Sequence, residues 1–355
     1  MNLKQYGLTD RFAALASMYE GLEAGRIASQ EKGLYRVIAE RGECLAEVSG
    51  KFRYHAQRAA DYPAVGDFVM IEPGDCDRAV IHHVLNRKSQ VVRRAAGESR
   101  QEQIVAANID TLFLCMSLNH DYNLRRLERY LSIAWDSGAT PVVVLTKSDL
   151  CNEIESKRSE IENIALGVDL LVTTAASQEG FEQILPYVTQ GQTVALIGSS
   201  GVGKSTLINC LLGENRQNTK GLRKDDKGRH TTTRRELLLV PGGGTVIDTP
   251  GMRELGMWDS EEGVSHAFSD IEELGLQCKF RNCTHASEKG CAVCEALKDG
   301  RLSQARYQSY QKLKAEIAYA ADSESYLAGK ERKFKEIAKR NKANRIAAFS
   351  DHMRR

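Results

Sequence analysis

One stretch of this chain is built to hold a phosphate. Gly198-Ser199-Ser200-Gly201-Val202-Gly203-Lys204-Ser205 follows the pattern G-x-x-x-x-G-K-S/T. The glycines of such a loop let the backbone curl until several amide N–H groups converge on one anion. An apolar run, Thr193-Val194-Ala195-Leu196-Ile197, leads into it, and Thr206-Leu207-Ile208-Asn209-Cys210-Leu211-Leu212 continues it as a helix. A helix starting at the loop adds the positive end of its dipole. The chemistry expected is nucleotide binding over residues 198–206, with Lys204 reaching the β- and γ-phosphates and Ser205 ligating Mg²⁺.

Two further segments at strand ends bear on the choice of nucleotide. Asp248-Thr249-Pro250-Gly251 matches D-x-x-G; Asp248 would join the Mg²⁺ shell and the Gly251 N–H would meet the γ-phosphate. Thr146-Lys147-Ser148-Asp149 resembles the guanine-reading N-K-x-D, with Thr146 at the place of the usual Asn. The Asp149 carboxylate can accept from guanine N1–H and N2–H₂, a pair of donors adenine lacks. Leaving that carboxylate unpaired would cost several kcal/mol, so the contact discriminates strongly. Thr174-Ala175 follows another strand end, where a backbone N–H toward guanine O6 is expected. A permuted ATPase is the competing nucleotide assignment.

The order of these motifs is inverted. The guanine motif at 146–149 precedes the phosphate loop at 198–205, and D-x-x-G at 248–251 comes last. This is a circular permutation of the G-domain, and it leads the γ-phosphate-sensing segment straight into the C-terminal region, which a nucleotide switch could then move. Residues 213–228 are polar and lead to Arg229-His230-Thr231-Thr232-Thr233, which reads as a switch ordered by γ-phosphate and Mg²⁺ with Thr232 completing the metal shell. Met252 follows Gly251 where familiar GTPases carry a water-orienting Gln. Slow intrinsic hydrolysis is expected, and His230 is the local candidate for positioning water; a solvated loop histidine is the plainer alternative. Gly201 stands where potassium-dependent relatives carry Asn, which argues against that requirement.

A second cluster has metal-ligand chemistry. Cys278-x₄-Cys283-x-His285-x₅-Cys291 places three thiols and one imidazole within 14 residues. Three thiolates and a neutral imidazole make a closed tetrahedral Zn²⁺ site, which is structural rather than catalytic. Cys294 competes as fourth ligand, and a redox role for the thiols is the weaker reading. The other five of the nine cysteines (Cys44, Cys76, Cys115, Cys151 and Cys210) are scattered singly, as suits buried thiols in a reducing cytosol.

The elements that must position these groups follow from the rest of the chain. Its 355 residues suit two or three domains, and 42% apolar with 27% charged residues excludes wholesale disorder. No apolar run approaches the ~18 residues of a bilayer span, and the start lacks a secretory signal. A cytoplasmic protein with no membrane partner is expected. Residues 1–31 read as a helix-like leader without chemistry. Residues 32–98 carry short alternating runs such as Leu34-Tyr35-Arg36-Val37-Ile38 and Asp67-Phe68-Val69-Met70-Ile71, consistent with a five-stranded barrel of the oligonucleotide-binding (OB) type or a generic small β-domain. A basic stretch, Arg87-Lys88 to Arg93-Arg94, follows. Over 99–257 apolar strands alternate with helices, the pattern of a parallel sheet covered on both faces. Leu124, Leu127, Leu131 and Ala134 mark one such helix. Residues 258–355 read as helical.

With these motifs in place the chain resembles the RsgA (YjeQ) family of circularly permuted GTPases, which act in late maturation of the bacterial small ribosomal subunit. The resemblance rests on Ala107-Asn108-Ile109-Asp110, the permuted Thr146–Asp149, the phosphate loop, Gly228–Thr233, Asp248–Gly251 and Cys278–Cys291 with Ala292-Val293. It covers residues 32 to 320 or so. It implies an α/β multidomain protein: an N-terminal OB-type β-barrel, a permuted P-loop G-domain and a C-terminal α-helical zinc-binding domain. It also implies GTP hydrolysis stimulated by the small subunit, a catalytic part for His230, and zinc ligation by Cys278, Cys283, His285 and Cys291 with Cys294 spare. The expected enzyme is a monomer that binds GTP or GDP, engages the small subunit and its rRNA in the GTP form and leaves on hydrolysis. A nucleotide-gated RNA-binding module with little hydrolysis is the alternative.

Charge distribution points to the same partner. The chain carries +2 overall, yet residues 326–355 hold ten Lys and Arg against three acids, a local +7. A basic helical tail can neutralise phosphates and makes binding salt-dependent; a solvated terminal helix is the alternative.

Overall fold

Alternation of buried and exposed side chains closes the first third of the chain on itself. The computed structural model describes residues 1–31, 33–75, 77–94, 102–175, 177, 179–213, 235–248, 261–286 and 288–318. After α1 (Asp10–Ala16) come β1 (Glu23–Glu31), β2 (Leu34–Ala39), β3 (Gly42–Val48), α2 (Gly50–His55), β4 (Phe68–Pro73) and β5 (Arg78–Val84). The five strands pair in the order β1-β2-β3-β5-β4, and β4 returns to β1. On β3, Ala46 and Val48 point inward while Glu43, Leu45 and Glu47 face water. Ile27, Tyr35, Val37, Val69, Ile71 and Ile81 fill the interior. Only β3 and β5 run parallel.

The leader expected over 1–31 placed the start of the barrel too late. Residues 23–31 are β1, hydrogen-bonded to both β2 and β4. Arg26 and Ser29 are buried on that strand, so its polar composition concealed it. The preceding helical part is tied down as well, with Phe12 fully buried 4.4 Å from the Phe68 ring.

A hairpin of β6 (Gln90–Arg94) and β7 (Glu102–Ala107) separates barrel from main sheet. The basic stretch before it is paired with carboxylates, and Arg93 within it is hydrogen-bonded across the hairpin. Arg87 grips Asp67 at 2.7 Å, Lys88 pairs with Asp110, and Arg93 donates to Gln103.

The main sheet holds β8 (Thr111–Ser117), β9 (Thr140–Thr146), β10 (Asp169–Val172), β11 (Thr193–Ile197), β12 (Glu236–Leu239) and β13 (Thr245–Asp248). Its order is β10-β9-β8-β11-β13-β12, parallel except for β12. Helices α3 (Leu124–Ser137), α4 (Ile154–Glu162) and α5 (Lys204–Leu212) cover it. Alternate strand residues choose sides: Leu112, Leu114 and Val143 join the cluster holding α3, whereas Phe113, Val142 and Val144 join that holding α5. Both faces are buried, hence the continuous apolar runs. Strand β12 touches β1 at one register pair, Ser29 with Glu236, so barrel and sheet are continuous.

Buried polar groups fix that joint. The Arg26 guanidinium donates to Gly66 O (3.2 Å), Asn108 O (3.3 Å) and Tyr6 O, and lies 4.8 Å from the Phe68 ring centre. Asn108 Nδ2 also donates to Gly66 O at 3.1 Å. Burial pulls Arg26 down to about 10 against the pull of Asp110 and Asp67, which leaves it cationic at neutral pH.

Beyond the sheet lie α6 (Glu261–Ala267), α7 (Ser269–Leu276), α8 (Ala292–Lys298) and α9 (304–318). Helix α6 crosses α3 so closely that a Cβ on Gly263 would stand 2.4 Å from Ser132 O. No helix among the described residues is long and apolar enough to cross a membrane.

Candidate functional site

The phosphate loop leaves β11 at Ile197 and ends where α5 begins at Lys204. Gly198 lies directly on β8, where a Cβ would approach Cys115 O to 2.5 Å, so only glycine lets the loop seat there. Lys204 Nζ arches back and donates to Gly198 O and Ser199 O, both at 2.7 Å. An anion on the loop would compete for this ammonium. Ser205 and Thr206 occupy the first turn of α5, and Ser200, Gly201, Val202 and Gly203 complete the curve. The Ser199 hydroxyl donates to Asp121, whose other oxygen accepts from Arg126 Nη1 at 2.6 Å. Sequence reasoning missed Asp121, since it lies 78 residues from its partner.

The guanine motif packs against this loop. Thr146 ends β9, is 5% exposed, and donates its hydroxyl to Val202 O. The side chain that departs from the usual Asn therefore still ties motif to loop. Lys147 turns through the left-handed region at φ 57° into the short 3₁₀ turn Ser148–Leu150. Asp149 accepts the Thr174 hydroxyl, with Thr174 and Ala175 following β10. A cavity of about 90 Å³ opens between Thr146, Lys147, Thr174, Ala175, Phe181 and Cys210. Its lining combines apolar Phe181 and Leu207 with polar groups of Lys147 and Thr174, a mixture that suits a heteroaromatic base. Phe181 and Cys210 carry no motif signal.

Asp248 closes β13, the parallel neighbour of β11, so its buried carboxylate sits at the same sheet edge as the loop. Gly251, His230 and Thr232 lie outside the described residues, as does the basic tail.

The four sequence-singled metal ligands converge. Ligand atoms of Cys278, Cys283, His285 and Cys291 all lie within 4.8 Å of one another. Cys278 Sγ and Cys291 Sγ are 3.8 Å apart, and each lies 3.4–3.5 Å from His285 Nδ1. A tetrahedron with Zn–S and Zn–N bonds of about 2.3 and 2.0 Å has edges of about 3.8 and 3.5 Å, so the donor set fits zinc. Cys294 is drawn into a supporting part: its N–H donates to Cys291 Sγ at 3.3 Å and its Sγ faces His285 O. Burial would raise the Cys291 thiol, but that N–H and His285 bring it down to about 6. The eight cysteines among the described residues are all free thiols.

Helix α3 links the two sites. Its first turn holds Arg126, the partner of Asp121. Its fully buried Glu128 accepts from Arg306 at 3.1 Å, and Arg306 also grips Asp270 on α7 at 2.6 Å and donates to Ala267 O at 3.0 Å. The adjacent Tyr307 hydroxyl donates to His285 O at 3.3 Å.

Comparison with known proteins agrees with this geometry. Residues 84–258 match the family model described as RsgA GTPase. Small ribosomal subunit biogenesis GTPase RsgA 2 of Lactiplantibacillus plantarum is 48% identical over 320 residues, 90% of each chain. RsgA 1 of Listeria innocua is 44% identical over 92% of each chain. Among solved structures, YjeQ from Thermotoga maritima superposes with a TM-score of 0.63 at 29% identity, covering 84% of this chain and 99% of its own. YloQ, described as a circularly permuted GTPase, gives 0.61 at 26% identity, covering 85% and 96%.

Proposed function

This chain belongs to the RsgA family of GTPases, and from that premise we propose that it hydrolyses GTP in maturation of the small ribosomal subunit, binding the subunit in the GTP form and leaving on hydrolysis. The observation that carries the reading is the seating of the guanine motif on the phosphate loop through Thr146 and Val202. In the proposed mechanism the loop amides and Lys204 bind the phosphates while Asp149 and Lys147 hold the base, with Thr174 orienting the Asp149 carboxylate. Ser205 and Asp248 would hold Mg²⁺, which offsets charge on the phosphates; Thr232 is proposed to join them and His230 to position water. Cys278, Cys283, His285 and Cys291 would hold one structural Zn²⁺. The working division is a barrel, a permuted GTPase domain to 257 and a metal-binding helical domain with a basic tail. We further propose that the chain works in the cytoplasm as a monomer touching rRNA.

The test is GTP turnover by wild-type and Lys204→Ala proteins with and without small subunits. Stimulation by subunits that Lys204→Ala abolishes is expected. No stimulation, with the two proteins indistinguishable, would leave a nucleotide-gated RNA-binding module, the reading that Met252 in place of Gln favours. Asp149→Asn should weaken GTP at least 100-fold and leave ATP untouched; equal losses would reject guanine selection.

A further inference from the structure

The barrel turns an unexpected side to its surroundings. Barrels of this type take oligonucleotides on the face of their second and third strands and the adjoining loops. Here that face carries exposed Glu43, Glu47, Asp75 and Asp77. Its Arg36 is already held by Glu236 and Glu43, which leaves Arg78 beside the acids. A polyanion would be repelled.

The β3–β4 connection has the opposite character. Between Glu47 and Asp61 the sequence contains no acid but Lys51, Arg53 and Arg58. Lys51 and Arg53 are exposed and form no ion pair among the described residues. Helix α2 buries none of its own residues. It is fixed by its Ser49 cap and by Phe52, whose ring meets Tyr62 edge-on at 5.9 Å. Tyr54 projects from this anchored turn 85% exposed, braced by the His55 ring at 5.4 Å. A rigidly based aromatic ring among unpaired cations matches unpaired RNA: a base stacks on the ring and flanking phosphates meet the cations.

We propose that α2, rather than the outer face of β2 and β3, is the RNA-contact surface of the barrel, with Tyr54 stacking on an unpaired base and Lys51 and Arg53 taking phosphates. The assignment rests on the reading that this chain works on the small ribosomal subunit. Full-length protein is titrated with purified small subunits, and separately with RNA extracted from them, across a potassium chloride series. Tyr54→Ala should weaken both by roughly 5- to 100-fold at an unchanged salt slope, and Tyr54→Phe should bind as wild type. The double variant Lys51→Ala/Arg53→Ala should flatten the slope of log affinity against log salt by about 1.4 to 1.8. Glu43→Gln/Glu47→Gln should match wild type, and subunit-free GTP turnover should stay unchanged in every variant. Wild-type affinity in both the Tyr54→Ala and the double variant overturns this surface alone. Losses seen with subunits but not with extracted RNA assign it to an acidic ribosomal protein and also overturn it. Wild-type protein that binds neither probe defeats the subunit reading itself.

Discussion

Replacing Arg306 by alanine tests the joint between the nucleotide domain and the metal-binding helices. Arg306 is 5% exposed and Glu128 fully buried, and Glu128 Oε2 already has no hydrogen-bond partner. Removing one partner of a buried ion pair costs about 3–5 kcal/mol, because the other charge is stranded. Arg125 still pairs with Glu128 from the neighbouring turn, so the lower end, about 3 kcal/mol, is expected. At about 2–4 °C per kcal/mol that lowers the melting temperature by roughly 6–12 °C. The double variant Glu128→Leu/Arg306→Met removes both charges, and similar exchanges elsewhere have been neutral or stabilising. It should therefore melt close to wild type, and thermal unfolding followed by circular dichroism reads both variants. A single variant within about 2 °C of wild type, or a double variant as unstable as the sum of its singles, would refute the claim that this buried charge network couples the two domains.

Other consequences can be checked directly. Thr146→Val strands the Val202 carbonyl and should weaken GDP binding by about 1–2 kcal/mol, roughly 5- to 30-fold, by titration calorimetry. Metal analysis of the purified chain should find one zinc, lost in Cys283→Ser and kept in Cys294→Ser. Removing it with a chelator should make residues 261–318 protease-sensitive while GDP affinity holds. Deleting 330–355 should weaken subunit binding and flatten its salt dependence with GTP affinity unchanged.

What was legible in the sequence was what local backbone chemistry demands. A phosphate loop needs glycines at set positions, and a zinc site needs thiols close enough along the chain to converge, so both could be read and the metal ligands meet as expected. The main-sheet strands were legible because burial on both faces excludes polar residues from them. Strand β1 was not, because Arg26 can be buried there only by donating to the carbonyls of Gly66 and Asn108, which lie far along the chain. The β6–β7 hairpin was equally hidden, since its first strand reads as part of a basic stretch although Arg93 is held across the pair by Gln103. Asp121, Phe181 and Cys210 belong to the candidate site only through tertiary contact, and no spacing rule finds them.

Permutation changes what the switch strand is attached to, and the contacts show which attachments are stiff. From Asp248 only twelve residues lead to α6, and α6 lies on α3 at Gly263. Helix α3 in turn reaches the phosphate loop through Arg126, Asp121 and Ser199. The metal-binding helices are thus tied to the nucleotide site twice, by the chain after Asp248 and by a helix pinned at both ends. The barrel is held differently. The Arg36–Glu236 pair is one-third exposed and worth at most about 1 kcal/mol, whereas parting the joint would strand buried Asn108, whose Nδ2 donates to Gly66 O and whose carbonyl accepts from Arg26. A change at the phosphate loop therefore has a direct route into the metal-binding helices, while the barrel is fixed to the sheet at a joint that resists bending. The barrel is best placed to act as the fixed anchor, and the metal-binding helices as the part that answers the nucleotide.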